Sequence, residues 1–221
     1  MNIVLGIISI FITFGFVVLI EKLFKKEGLF AWISIATIIA NILVCKSVDI
    51  LGITTSLGNA MFASIFLATD IMNEKYGYKE SRKAVILGVC SQVIFLIMTQ
   101  IALIYIPSEE DQVNESMRTL FSINIRVSIA SIVMYGASNM LDIYLYEKIR
   151  KKFPNKLWVR NNVATIVSNC LENYFFYFFA FIGIYNFATI ISIATSVSII
   201  EMTIAIIDTP FLYLSRKLSK E

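Results

Sequence analysis

The run IVLGIISIFITFGFVVLI at 3–20, the charged stretch EKLFKKE at 21–27 and the second apolar run LFAWISIATIIANILVC at 29–45 decide the fold class. A helix needs about 20 apolar residues to cross the hydrocarbon core of a bilayer. Both runs approach that length without a charged residue. No basic residue precedes the first run and no small-residue cleavage site follows it, so it reads as a retained helix and not as a signal peptide.

The pattern recurs along the chain. Further apolar segments span Ile50–Thr69, Ala84–Ile106, Val127–Tyr146, Asn161–Gly183 and Phe187–Ile207. The last three carry Asp142, Glu172 and Glu201 and are the weakest spans by hydropathy. Continuous apolar runs of this length lack the alternation of a membrane barrel, which leaves helices. Composition agrees: 57% of the 221 residues are hydrophobic and 16% are charged, against about 25% charged in soluble domains. The expectation is an all-α polytopic membrane protein forming a single domain over 1–221, with no linker or low-complexity stretch.

The loops orient the spans. Lys22, Lys25 and Lys26 follow the first segment, and Lys75, Lys79, Arg82 and Lys83 follow the third. Lys148, Arg150, Lys151, Lys152, Lys156 and Arg160 separate the fifth from the sixth, and Arg216, Lys217 and Lys220 end the chain. Seven spans put these 16 of the 19 basic residues on one side. The other side has Lys46, Arg118, Arg126 and the acidic loop 107–122, the longest connection there, read as a solvated loop or a lid. The positive-inside rule makes the basic side cytoplasmic, with the N-terminus outside and the C-terminus inside. The net charge of +3 gives no reason to expect a nucleic-acid partner.

The chain contains no histidine, the commonest metal ligand and general base near neutral pH. Cys45, Cys90 and Cys170 lie scattered through apolar segments and read as buried, inert thiols. No nucleophile–base pair, zinc motif or phosphate-binding glycine loop occurs. No enzyme and no cofactor is expected. A multi-helix membrane protein with buried polar groups and no chemistry is by default a transporter or channel.

A carboxylate at bilayer depth is costly unless paired, hydrated or protonated. Two segments share one arrangement: Ser138-Asn139-x-x-Asp142 and Ser168-Asn169-x-x-Glu172. A spacing of three puts amide and carboxylate on one helix face. The two helices run in opposite directions, so both faces could meet at one cavity, where such groups suit the N–H edge of a planar heterocycle. The alternative is that they only hold helices together, and for Asn41, Asn59, Gln92 and Gln100 the two readings stay open. Tyr174, Phe175 and Phe176 follow Glu172, as a stacking wall or as lipid-facing packing. Asp70 and Glu74 end the third segment, as interfacial caps and ion pairs or as a gate. Pro210 is expected to kink the last helix, and Asp208 beside it needs a partner, with Arg126 and Arg160 the candidates. Arg160-Asn161-Asn162 opens the sixth segment next to Trp158, the pattern of an interface anchor.

These residues carry a family resemblance. Phe66-Leu67-Ala68-Thr69-Asp70-Ile71-x-Asn73-Glu74-Lys75-Tyr76-Gly77 with Ser81-Arg82-Lys83-Ala84 resembles the signature of the vitamin uptake transporter family, the queuosine precursor transporters. Arg126-x-x-x-Ala130-Ser131 with Tyr135, Ser138 and Asp142 is similar to its second block. Leu157-Trp158-x-Arg160-Asn161-Asn162 with Thr165 and Ser168 is similar to the third, and Asp208-Thr209-Pro210-Phe211-x-Tyr213-Leu214 to the C-terminal one. The blocks span residues 29–217, so the resemblance makes 1–27 an accessory N-terminal helix and 28–217 the core.

The resemblance implies a compact bundle of six core transmembrane helices plus one N-terminal helix, similar to the substrate-binding subunits of energy-coupling-factor transporters. It implies an importer of 7-deazaguanines (queuine and its aminomethyl and nitrile precursors) in the cytoplasmic membrane, acting as a secondary transporter. The alternatives are a binding subunit that depends on a separate ATPase module, and a membrane protein without a transport role. A homo-oligomer is compatible with either form of transport. The implied substrate-binding residues are Asn139, Asp142, Asn169, Glu172, Glu201, Ser168 and Asp70. Glu74, Arg126, Arg160, Asn161 and Asp208 take structural or gating roles. The chain departs from the family pattern in carrying Asn139 and Asn169 where Gln is usual, Glu172 where Asp is usual, and Ser198 and Glu201 where Tyr and Lys are usual. The extra carboxylate at 201 suggests a pocket tuned toward a cationic ligand or, alternatively, a proton-coupling site.

Overall fold

The computed structural model describes residues 2–50, 53–121 and 125–218. Its order is α1 (Asn2–Leu43), β1 (Ser47–Ile50), β2 (Ile53–Ser56), α2 (Asn59–Tyr76), α3 (Tyr78–Ile104), α4 (Asn114–Phe121), α5 (Ile125–Lys152), α6 (Leu157–Phe181) and α7 (Phe187–Leu218). Three of these, α1, α3 and α7, are long and apolar enough on their own to cross a membrane.

α1 contains both of the first two expected spans. It is broken at Lys25, whose φ of 54° and ψ of −137° leave the helical region. The break reverses the chain. A Cβ placed on Gly28 would lie 2.7 Å from the carbonyl oxygen of Ile20, although eight residues of straight helix cover about 12 Å. Asn2 Nδ2 also donates to the Asp49 carbonyl at 3.0 Å, whereas an unbroken helix of this length would hold its ends about 60 Å apart. The two arms therefore lie antiparallel, and Gly28 allows their close approach.

The third span starts later than hydropathy suggests. Residues 53–56 are the second strand of an antiparallel hairpin, with Val48 opposite Thr55, and α2 begins at Asn59. The β-branched Ile53, Thr54 and Thr55 favour the extended backbone there. α2 passes into α3 through Gly77 alone, whose φ of 87° suits glycine. The acidic loop 107–122 is not all loop: Asp111 Oδ1 accepts from the backbone N–H of Val113 and Asn114, and α4 follows. α7 continues past Pro210 to Leu218 as one helix.

The basic stretches gather at one end. Lys75 of α2 pairs with Glu21 at 2.6 Å, and Lys26 approaches Glu80 at 3.7 Å. Arg150 donates to the Asn73 carbonyl at 3.2 Å, and Ser215 donates to Glu21 at 3.2 Å. The bundle buries polar groups beside an apolar core and is apolar outside. Asp70, Asn73, Asn139, Asp142, Asn161 and Ser168 are wholly buried, while Ile94, Met98, Val133, Ile199 and Ile206 are more than half exposed. That inversion of the soluble pattern marks a surface solvated by lipid. The protein is an all-α membrane protein with one small hairpin. The expectation of buried cysteines is corrected: Cys45 and Cys90 are exposed and Cys170 is half-buried, all three as free thiols, Cys90 because its stretch of α3 faces lipid and Cys45 because it lies past the end of α1.

Candidate functional site

A cavity of about 480 Å³ opens among the second arm of α1, α2, α3, α5, α6 and α7, within the roughly 300–1,000 Å³ usual for small-molecule sites. Asn41, Asn59 to Phe66, Gln92 to Leu96, Ser128 to Tyr135, Asn169 to Phe181 and Ile193 to Glu201 supply its lining. Every one of these stretches lies in the half of its helix farther from the basic end. The cavity is thus closed toward the basic residues and reaches the opposite end at Val44 and Cys45.

Its polar groups converge from several helices. Glu172 accepts from the Ser138 hydroxyl at 2.5 Å. Glu201 accepts from Asn173 Nδ2 at 2.7 Å, and the same amide reaches the Ser198 hydroxyl at 3.3 Å. Gln92 Nε2 donates to Ser131 at 3.3 Å and to Asn41 Oδ1 at 3.4 Å. The carbonyl oxygens of Asn169 and Gln92, residues only 5% and 3% exposed, have no hydrogen-bond partner. Buried acceptors of this kind are costly unless a ligand or water satisfies them. The Phe62, Phe66, Phe95, Phe176 and Tyr177 rings supply the apolar walls, and Tyr177 stacks on Phe181 at a centroid distance of 5.9 Å. No Lys or Arg lines the cavity among the described residues.

Below the cavity, in the basic halves of the helices, lies a closed cluster. Asp70 (α2), Asp142 (α5) and Asp208 (α7) are each at most 1% exposed. Asp142 and Asp208 lie within electrostatic range of Asp70. Thr165 donates to Asp70 at 3.5 Å, and Asn161 Nδ2 donates to Asp208 at 2.6 Å. The cluster is sealed at the basic end by Arg160, whose Nη2 bonds both Glu74 carboxylate oxygens at 2.7 Å. Tyr146 adds a hydrogen bond to Glu74 at 3.0 Å, and Arg216 approaches it at 3.8 Å.

The residues singled out from sequence thus fall into three levels. Asn169, Glu172 and Glu201 line the cavity. Asp70, Asp142, Asn161 and Asp208 form the cluster. Asn139 and Ser168 are buried without lining the cavity, and Asn139 Nδ2 donates to the Tyr135 carbonyl of its own helix at 3.0 Å. The two Ser-Asn faces do not meet symmetrically, since α5 reaches the cavity acid through Ser138 and not through Asn139. Glu74 and Arg160 make the seal. Asp208 pairs with Asn161 and not with Arg160, because Glu74 takes the guanidinium; the Arg126 side chain lies outside the described residues. Of the aromatics after Glu172, Phe176 faces the cavity, Phe175 is 49% exposed, and Tyr174 bonds Thr195 at 2.8 Å. Sequence reasoning missed Asn173 and Tyr177 in the cavity and Glu21 at the basic end. Helical spacing offered a signal for two of them: Asn173 lies four residues after Asn169, and Tyr177 four after Asn173.

Residues 56–215 match a family described as "Putative vitamin uptake transporter". The "Probable queuosine precursor transporter" of Bacillus subtilis (strain 168) is 38% identical over 209 residues, covering 94% of this chain and 91% of its own. The "Queuosine precursor transporter" of Escherichia coli (strain K12) is 27% identical over 161 residues, covering 71% of this chain and 70% of its own. No solved structure matches significantly. A polar cavity inside a lipid-facing bundle is what such relatives require, and with the match extending over most of its length the chain belongs to the vitamin uptake transporter family, whose members are transporters and not enzymes.

Proposed function

We propose that the chain imports a queuosine precursor, a 7-deazaguanine, through the central cavity, as a secondary transporter of the cytoplasmic membrane. The observation that carries this reading is the position of the cavity, in the halves of the helices away from the basic end and reaching Val44 and Cys45. With the basic end in the cytoplasm, that is a form ready to take up a solute from outside. Seven spans, N-terminus outside and C-terminus inside, follow from the same orientation. An accessory helix at 1–27 beside a six-helix core at 28–217 is part of this reading, the break at Lys25 separating the two.

The cavity chemistry suits the ligand class. The Asn169 and Gln92 oxygens accept from the amine and ring N–H groups of a deazaguanine, and the aromatic walls take its faces. Glu172 and Glu201, with no basic residue beside them among the described ones, favour a precursor bearing a protonated amine over the neutral nitrile. Release inward requires the Glu74–Arg160 seal to open, so that the cavity faces the two sides in turn.

The test is uptake of a labelled precursor in a host that neither makes nor imports one, read out as queuosine in tRNA and repeated with the purified chain alone in liposomes. Accumulation in both is expected. Failure in liposomes, together with co-purification of an ATPase module, would replace the secondary transporter by an ATP-dependent one. Failure in both would end the reading.

A further inference from the structure

We propose that Glu21, on the first arm of α1, is a gate residue that clamps the ends of α2 and α7 together at the basic end and so holds the Glu74–Arg160 seal shut. The inference rests on the reading of the chain as a transporter.

Glu21 differs from its neighbours on the same arm. Leu19, Leu23 and Phe24 are exposed to lipid, yet Glu21 is 1% exposed. Both of its carboxylate oxygens are taken. Oε1 accepts from the Tyr76 hydroxyl at 2.9 Å, and Oε2 accepts from Lys75 Nζ at 2.6 Å and from the Ser215 hydroxyl at 3.2 Å. Apolar packing already seats the arm. Phe14 and Val17 are buried, and the Phe11 and Phe14 rings stand edge-on to Phe211 of α7 at 5.6 and 5.4 Å. A helix that only rested against the bundle would need no buried charge in addition, since such a group is costly at the lipid-facing side unless it is paired.

The partners of Glu21 are the residues next to those of the seal. On α2, Glu74 belongs to the seal while Lys75 and Tyr76 reach Glu21. On α7, Arg216 approaches Glu74 at 3.8 Å while Ser215 donates to Glu21. Two networks therefore bridge the same two helix ends, one through Glu74 and one through Glu21. The turn after the arm adds a third hold beyond Gly77, where Lys26 lies 3.7 Å from Glu80 in the first turn of α3.

This arrangement constrains how the basic end can open. Opening has to draw α2 away from α6 and α7, because Glu74 is bonded to Arg160 and approached by Arg216. Glu21 holds α2 and α7 at once, so parting them breaks either the Lys75–Glu21 pair or the Ser215–Glu21 bond. Broken in the shut form, the ion pair leaves a charge stranded away from water; broken as the end opens, both charges meet water from the basic side. Partly open forms are the ones the clamp disfavours most, which leaves shut and open as discrete states. Removing the carboxylate removes an interaction made in the shut form and shifts the population toward the form open at the basic end.

Chemical access to the space behind the seal tests this. Thr165, buried beside Asp70 and five residues along α6 from Arg160, takes the reporter as Thr165→Cys in a chain carrying Cys45→Ser, Cys90→Ser and Cys170→Ser. In inside-out membrane vesicles, which present the basic face, a membrane-impermeant maleimide should label that thiol slowly. Glu21→Gln should speed the labelling about tenfold or more, equivalent to about 1.4 kcal/mol in the balance between shut and open forms. Ser215→Ala, which spares the ion pair, should speed it less. Ala40→Cys, buried toward the opposite end of the second arm of α1, should stay unlabelled throughout. Equal labelling of Thr165→Cys with and without Glu21→Gln overturns the proposal. A parallel rise at Ala40→Cys overturns it too, since Glu21 would then support the whole fold and not the gate. Where Glu21→Gln does not reach the membrane, Ser215→Ala decides by the same comparison. A queuosine precursor, added on the other side, should speed labelling of Thr165→Cys when Glu21 is present, by carrying the gate through its open form. No effect of precursor in any chain, with Glu21→Gln still fast, ends the transport assignment and leaves the clamp in place.

Discussion

Arg160 Nη2 lies 2.7 Å from both carboxylate oxygens of Glu74, in a contact where the side chains are 2% and 8% exposed. It ties α6 to α2 at the basic end, and Tyr146 Oη joins it from α5. Removing one member of such a pair strands the other charge away from water, which costs about 3–5 kcal/mol. Arg160→Gln should therefore lower the thermal midpoint of the purified protein sharply. Arg160→Gln combined with Glu74→Gln should be milder than the sum of the two single changes by about 1–3 kcal/mol. Additive losses in that cycle would show that the two residues do not act as a pair.

Glu201 and Glu172 place two carboxylates in a cavity without a basic residue among its described lining. For an amine-bearing 7-deazaguanine, losing one carboxylate should weaken uptake about tenfold or more, since 1.4 kcal/mol is a factor of ten and one charge pair near 4 Å reaches about 4 kcal/mol at intermediate dielectric. Glu201→Gln should leave uptake of the nitrile form nearly unchanged. Competition between the two compounds measures the difference. Best uptake of the nitrile form by the unaltered chain, with no effect of Glu201→Gln, would remove the electrostatic account of specificity.

The spans were legible because lipid imposes a one-body requirement: a long apolar run is sufficient, as at 3–20 and 84–106, and the lysines in the loops report the side. The reversal at Lys25 was legible too, since charges separate two runs there. The hairpin at 47–56 was not, because Ile50 and Ile53 read as the start of an apolar span, and the β preference of Ile53, Thr54 and Thr55 is decided only by pairing with 47–50. Glu172 stood out as a carboxylate in an apolar run. Whether a buried acid faces the cavity or the closed cluster depends on helix rotation and depth, so Glu201 and Asp142 looked alike in sequence but lie at different levels. Partners were the least legible of all. Asp208 sits next to a helix rich in polar residues, and nothing in its sequence neighbourhood selects Asn161 over Arg160.

Gly88 of α3 tests how the cavity wall is held. A Cβ at this position would collide with the Tyr135 hydroxyl and lie 3.1 Å from Ile33 Cγ2. Tyr135 lines the cavity, and its hydroxyl is 3.2 Å from that of Thr37. Gly88→Ala must push the ring toward the cavity or part the helices, at a cost of about 1–3 kcal/mol. Uptake of the labelled precursor should fall with a raised KM, and Gly88→Ala combined with Tyr135→Phe, which removes the colliding oxygen, should recover most of it. If the double variant is as poor as the single one, the collision with Ile33 and not with Tyr135 governs the site.

Cys45 gives a direct reading of orientation. It lines the cavity at the end away from the basic residues, exposed, with its thiol 3.8 Å from the carbonyl of Leu120 in α4. Cys90 is also exposed, but on α3 among lipid-facing residues such as Ile94, where a charged thiol reagent does not partition. In intact cells carrying Cys90→Ser and Cys170→Ser, a membrane-impermeant maleimide should label Cys45 from outside. Saturating precursor should slow that labelling several-fold, because the ligand occupies the cavity that Cys45 borders. Labelling only after the cytoplasmic face is exposed would invert the orientation and make the observed form inward-open. Labelling from outside that no precursor slows would detach the cavity from the substrate, whatever the orientation.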